Sequence, residues 1–559
     1  MNFLLKQSLT VLGILLAFTL ASQATNYTWT GTTSTDWGTA GNWSPSGVPG
    51  GSENTDNVTI SACSGNAPIL NATYTIAAFT MTGCALTINS GYTLNITGTT
   101  SITGSGTLIT GAGTLNVGTS TTAVTVTIGS TSVLNGPTVS AATSTIYASL
   151  SESLSYIYNS TFGACSIFWL GSGWSSNGGN TFTGITYIGF SGFGGLNFGV
   201  NAGDTFEGQT TFSNTGSGAS SVTISSNYSS TFTGDIIVAC ANTGGYGIVF
   251  GSPTGSATST LASGYTISAG TFSSGFLKLY NFIQEGTTPQ TLSGISSLYF
   301  CSGTTFNGPL TTIGNTYLYF NPEATFVGAV TASAAYLYLN GSHFENVTNL
   351  TETWGGNNSN GGNTFDGLTT INNNGGGGNM NLNYTSPDIY NGNVTYNNYY
   401  SSLVIGGSIG NTYNGTVTFN NNAGAGYLTA SYKGTTHYNG DIIINNTNGY
   451  DAVIFGQGGG TSILDTGQTI SADAFAVGTL SISNFTQLGS TPQNIILTGT
   501  AGVGFSNCTF NGPLTATAPV VGFSGNTFNN TVNFTTTATS ASNTVYGSGV
   551  SISGGGNTF

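Results

Sequence analysis

The sequence predicts an all-β fold, a parallel β-helix (β-solenoid) with about three short strands per coil of 18–26 residues. An aromatic–glycine motif recurring at twenty-odd residues points to it, because periods of that size belong to solenoids. A second, much longer repeat lies over the short one. Apolar pairs two residues apart, such as Leu86/Ile88 and Leu94/Ile96, supply the third observation, since that spacing puts both side chains on one face of a strand.

The motif is best preserved in Gly178-Gly-Asn-Thr-Phe182 and Gly361-Gly-Asn-Thr-Phe365. Its aromatic recurs as Phe182, Phe206, Phe232, Phe306, Phe326, Phe365, Tyr390, Tyr413, Tyr438, Phe510 and Phe528. From Phe182 the next two intervals are 24 and 26 residues, and from Phe365 the next three are 25, 23 and 25. One ring per coil forms a buried stack, each ring contributing roughly 1.5–3 kcal/mol. The Gly two places after the ring is expected to take a left-handed conformation. The Asn before it is expected at a corner, bonding to backbone or running in rows along the axis.

Residues 1–24 read as a secretory signal, with Lys6, an apolar stretch from Leu9 to Leu20, and small residues at Ser22-Gln-Ala24. Residues 25–60 gather Trp29, Trp37 and Trp43 and read as an N-terminal cap, because the first coil of a solenoid exposes open edges. The same three rings are also candidates for stacking on a glycan. Residues 61–134 read as the first coils. Residues 135–306 and 307–510 read as two copies of a long repeat, in which Gly286-Thr-Thr-Pro-Gln290 answers Gly489-Ser-Thr-Pro-Gln493. Residues 511–559 begin a third copy that stops inside the motif at Thr558-Phe559, as expected for a piece of a longer protein.

After removal of the signal only Lys278 and Lys433 remain as cations, against 17 Asp and Glu. Such a chain is not built for nucleic acid or anionic lipid, both of which are held through Lys and Arg. No later stretch is long and apolar enough for a transmembrane helix. Cys63 and Cys84, 21 residues apart, are placed to face each other in adjacent coils and form a disulfide after export. Cys301 and Cys508 are expected in nearly the same slot of the two long repeats.

Catalytic, metal and cofactor-binding residues are not indicated. Asp204 and Asp388 recur at equivalent places, as do Asp235 and Asp441, which marks them as corner residues. Stacking of coils offers one route to a carboxylate pair, Asp366 with Asp388, of the kind that glycoside hydrolysis requires. His343 and His437 replace the usual Thr before the ring.

The opening Trp-x-Gly, Asp-Trp, Asn-Trp and Val-Pro signals, with Gly356-Asn-Asn-Ser-Asn-Gly-Gly-Asn-Thr-Phe-Asp-Gly367 and Asn484-Phe-Thr-Gln-Leu-Gly489, resemble the long extracellular repeat proteins of Bacteroidetes. The resemblance implies export to the surface or medium, often by a type IX route that reads a C-terminal sorting domain, and roles as adhesins or surface-layer components. No sorting domain is seen in this sequence, and the resemblance supplies no catalytic residues. The expected function is a secreted or cell-surface structural and adhesive β-solenoid without catalytic activity. The alternatives are a polysaccharide-active β-helix lyase or glycosidase and a non-catalytic glycan-binding module. Expected partners are surface glycans, other cells, or further copies meeting through the solenoid ends.

Overall fold

A Thr-Phe pair is too short to persist as a strand alone, so each such pair exists by pairing with the same pair one coil away. The computed structural model shows this arrangement. It describes residues 24–117 except 52, 53, 64 and 104–106, short segments between 125 and 169, residues 174–537 except 408, 425 and 448–451, and strands at 545–548 and 551–552. Residues 1–23 of the signal reading and the final motif at 555–559 lie outside the described residues.

The chain is a parallel β-solenoid that divides into two compact units, Met1–Ser259 and Thr260–Phe559. This division differs from the repeat junction read at 306/307. Helix among the described residues is limited to single turns at Ala40–Asn42 and Gln457–Gly459.

In the first unit Thr161-Phe162, Thr181-Phe182, Thr205-Phe206 and Thr231-Phe232 pair in parallel and in register. Their rings stack at 5.0, 4.8 and 4.7 Å between centroids, within 13° of parallel. In the second unit the stack runs Phe344, Phe365, Tyr390, Tyr413, Tyr438 at 4.8 to 5.2 Å. All of these rings are buried. Offset stacking adds about 0.5–1.5 kcal/mol per pair beyond the burial itself.

The column is not aromatic throughout. Leu464 and Gln487 follow Tyr438 in it, and Gln284 precedes Phe306. Both glutamines are fully buried and make matching bonds. Gln284 donates to Thr288 O and accepts from Gly308 N–H, while Gln487 donates to Thr491 O and accepts from Gly512 N–H. Gln290 and Gln493 match in the same way, each accepting at 2.7 Å from the N–H of Ile267 or Ile470. The long repeat is therefore a repeat of buried hydrogen bonding.

Two expectations need correction. The Gly after the ring is not left-handed; Gly208, Gly392 and Gly415 are absent from the positive-φ positions. A Cβ on Gly392 would instead lie 2.5 Å from Gly367 O, and one on Gly415 would lie 2.7 Å from Gly392 C. Glycine is needed because successive coils touch backbone to backbone there. Cys301 and Cys508 also differ. Cys508 takes the slot of Thr304, since both donate to the carbonyl of a matching residue, Ile482 and Leu279. Cys301 lies three residues before that slot, close to Asn321.

Candidate functional site

Trp29, Trp37 and Trp43 lie in the cap core at 5%, 0% and 3% exposure. Trp43 meets Trp29 and Trp37 edge to face at 4.8 and 4.7 Å. Their indole N–H groups donate to Asn66 O, Pro49 O and Trp37 O. A sugar needs an open ring face, so the glycan-stacking reading of these three residues is set aside. The strand Asn26–Trp29 instead covers the edge of Asn57–Ser61 in parallel and carries Trp43–Ser44 antiparallel on its other side. Cys63 and Cys84 are joined by a disulfide just beyond, with Cα atoms 5.2 Å apart.

The recurrent acids hold corners. Asp204 accepts from Asn180 and Ser176 side chains and from Gly199 N–H; Asp388 accepts from Asn363 N–H and its amide and from Tyr390 OH. Burial pushes both carboxyls up to about 6 against these bonds. The tyrosines that replace Phe here are tied to the same polar seam, with Tyr396 OH 3.1 Å from Tyr413 OH, which in turn accepts from Asn411. Asp366 does not join Asp388. It is exposed, bonded to His343 Nε2 at 2.7 Å and to Asn391 at 2.6 Å, and these contacts, Asn391 first, hold its carboxyl below the usual range. Among the described residues no three His, Cys, Asp or Glu stand close enough to hold a metal.

Asparagine rows do run along the axis, but mostly not from the position before the ring. In the second unit the strands Thr348–Glu352, Thr369–Asn373, Val394–Asn398, Val417–Asn421 and Ile442–Asn446 pair in parallel with continuous register through their first residues. Varying coil length is taken up in the loops that follow. On the outward face Asn397 Nδ2 donates to Asn372 Oδ1, Asn420 to Asn397, and Asn445 to Asn420, at 2.7–2.8 Å. A buried row beside it runs Asn373 to Asn398 to Asn421. A third, exposed row links Asn439 to Asn414 to Asn391 to Asp366.

Glu352 stands in register with Asn373 at one end of the buried row. Its side chain is fully buried, and burial raises the carboxyl to about 8 although Leu337 N–H and the Asn357 amide pull the other way. Glu352 Oε1 and Asn357 Oδ1 are buried without a hydrogen-bond partner.

Half-buried and exposed rings form two different surfaces in this unit. Tyr299, Tyr319 and Tyr338 stack on one another at 4.3 and 4.4 Å, with Lys278 Nζ 4.9 Å from the Tyr299 ring. Tyr317 and Tyr336 stack at 4.9 Å in the neighbouring column. Rings stacked this closely offer edges and hydroxyls to solvent, not faces. Tyr399 and Tyr400 are different. They follow the strand Val394–Asn398, are 41% and 60% exposed, and among the described residues no ring packs on either. With Thr353, Asn372 and Asn374 they line an open groove of about 730 Å³. The loops are fixed to one another, Asn374 N–H donating to Glu352 O, Tyr399 N–H to Asn373 O, and Ser401 Oγ to Gly375 O. No lining residue is charged. Sequence reading missed this groove because its residues come from three successive coils and none belongs to the motif.

No helix among the described residues is long and apolar enough to cross a membrane. No curated protein and no solved structure matches the chain. Residues 28–235, from the cap through the first unit's coils, match a family model described as a domain of unknown function (DUF8693).

Proposed function

We propose that this chain is an exported, non-catalytic β-solenoid that serves as a structural and adhesive element at or beyond the cell surface. The observation that carries this reading is where the chemistry-bearing side chains are used. Asp204, Asp388, the motif asparagines and the buried tyrosines all hold coil to coil, while the exposed groove is uncharged. The Cys63–Cys84 disulfide supports an oxidising destination, as the leader-like residues 1–24 do. The resemblance to extracellular repeat proteins of Bacteroidetes is consistent with it. A coil of three short strands is part of the same reading, supported by coils such as Asn357–Asn358, Thr364–Phe365 and Thr369–Asn373.

The test is adhesion of the purified chain to whole cells, extracted surface polysaccharide and itself, alongside a screen of acidic and neutral glycans for released chain ends. Retention or self-association without product is expected. Release of chain ends from any glycan, or absence of all retention and self-association, overturns the reading.

A further inference from the structure

We infer that the groove between Thr353, Asn372, Asn374, Tyr399 and Tyr400 binds a neutral polysaccharide chain, laid along the solenoid axis and continued by the amide row Asn372, Asn397, Asn420 and Asn445. This deepens the adhesive reading and rests on it.

Three features select this class of partner. The first is the free ring faces. A pyranose presents a C–H face that packs on an aromatic ring, and Tyr399 and Tyr400 keep their faces open where the other tyrosine columns cover theirs. The second is the set of unused valences in the amide row. An Asn amide has two N–H donors and two acceptor lone pairs. Asn397 and Asn420 each spend one of either kind on the row, leaving one donor and one acceptor in each of these two coils for hydroxyl groups outside, while Asn372 already donates to Leu350 O and Thr351 Oγ1. Successive strands lie about 4.8 Å apart, so these pairs repeat regularly along the axis. The row is also rigid before any ligand arrives, which lowers the entropy cost of binding.

The third feature is charge. The lining contains no Lys, His, Asp or Glu, and the chain as a whole carries a formal charge of −14. Uronic-acid or sulfated chains would meet long-range repulsion with no cation in the groove to offset it. An uncharged chain of hexose or pentose units meets none. The groove's volume falls in the range typical of ligand sites, and its openness at the surface suits a polymer running past it better than an enclosed small molecule.

Affinity electrophoresis of the full chain in native gels tests this. The gels contain mixed-linkage β-glucan, xylan or galactomannan as neutral polymers and polygalacturonate as the anionic one. The expected result is retardation by at least one neutral polymer and none by polygalacturonate. Tyr399→Ala/Tyr400→Ala should weaken retardation at least tenfold, and Tyr400→Ala alone, at the more exposed position, should weaken it severalfold with an unchanged circular dichroism spectrum. Tyr228→Ala, which removes a ring of the first unit whose exposure lies between those of Tyr399 and Tyr400, should leave it unchanged. The inference is overturned if no neutral polymer retards the wild-type chain, if polygalacturonate does so as strongly, or if the Tyr399/Tyr400 variant is retarded like wild type. Adhesion to cells that survives such a failure leaves the adhesive reading standing and moves it to another surface. Loss of both removes the two together.

Discussion

Glu352 makes the solenoid's stability fall with pH in a window that other buried acids do not share. Its carboxyl is raised from 4.5 to about 8 by burial, so over that range the unfolded chain ionises while the folded one keeps its proton. Each pH unit in which only the unfolded state loses a proton costs about 1.4 kcal/mol. The contribution is fully present below about 4.5, is lost as pH rises, and levels off above about 8. Asp204 and Asp388, raised to about 6, impose the same sign of slope but only below that value. Between pH 6 and 8 the slope belongs to Glu352, amounting to roughly 2–3 kcal/mol across the window. Glu352→Gln retains the shape and removes the titration. Urea unfolding at pH 6, 7 and 8, with hydrogen exchange at Leu337 as the local probe, should show a steep wild type and a flat variant. A wild type that is level across this window, or a variant that keeps the slope, refutes the assignment.

Three further outcomes follow from the packing. Gly392→Ala should destabilise by about 1–3 kcal/mol in urea melts because its Cβ meets the backbone of Gly367, while Gly376→Ala, with nothing within 4 Å, should change stability little. Tyr413→Phe should cost about 1–3 kcal/mol by leaving Asn411 and Tyr396 short of a partner, measured the same way. Trp37→Ala should cost about 3–5 kcal/mol and expose the cap to protease, with neutral-glycan retardation kept as long as the chain stays folded.

The sequence displays what recurs at one position per coil. Spacing alone placed Phe182, Phe206 and Phe232 in one stack, and the Trp-rich segment at the start, because burial requires one ring above another and an end needs covering. It could not tell a buried Trp from an exposed one, since Trp37 and Trp354 differ only in what surrounds them after folding. It misread Gly392, because a close backbone approach and a left-handed turn select the same residue. Gln290 and Gln493 were legible as matched positions, but nothing marked Gln284 and Gln487 as members of the aromatic column, where a polar residue is admitted because Gly308 and Gly512 offer it an N–H. The groove at Tyr399 depends on neighbours some 25 residues apart in sequence, such as Asn374 and Tyr399, and on loops that share no motif.

The outward asparagine rows also have a sense. In both the Asn372–Asn445 row and the Asp366–Asn439 row every amide-to-amide or amide-to-carboxylate bond is donated toward the amino-terminal coil. A residue that only accepts fits such a row at its amino-terminal head and nowhere further along, and Asp366 stands at that head. In these two rows each finished coil thus presents unfilled side-chain oxygens to the coil made after it, and each new coil arrives with the hydrogens to fill them, the reverse of the buried row, where Asn373 and Asn398 donate forward. A chain that emerges amino-terminus first is matched to the polarity of these surface rows: the folded part of each row is a template whose next rung is always the next to be delivered.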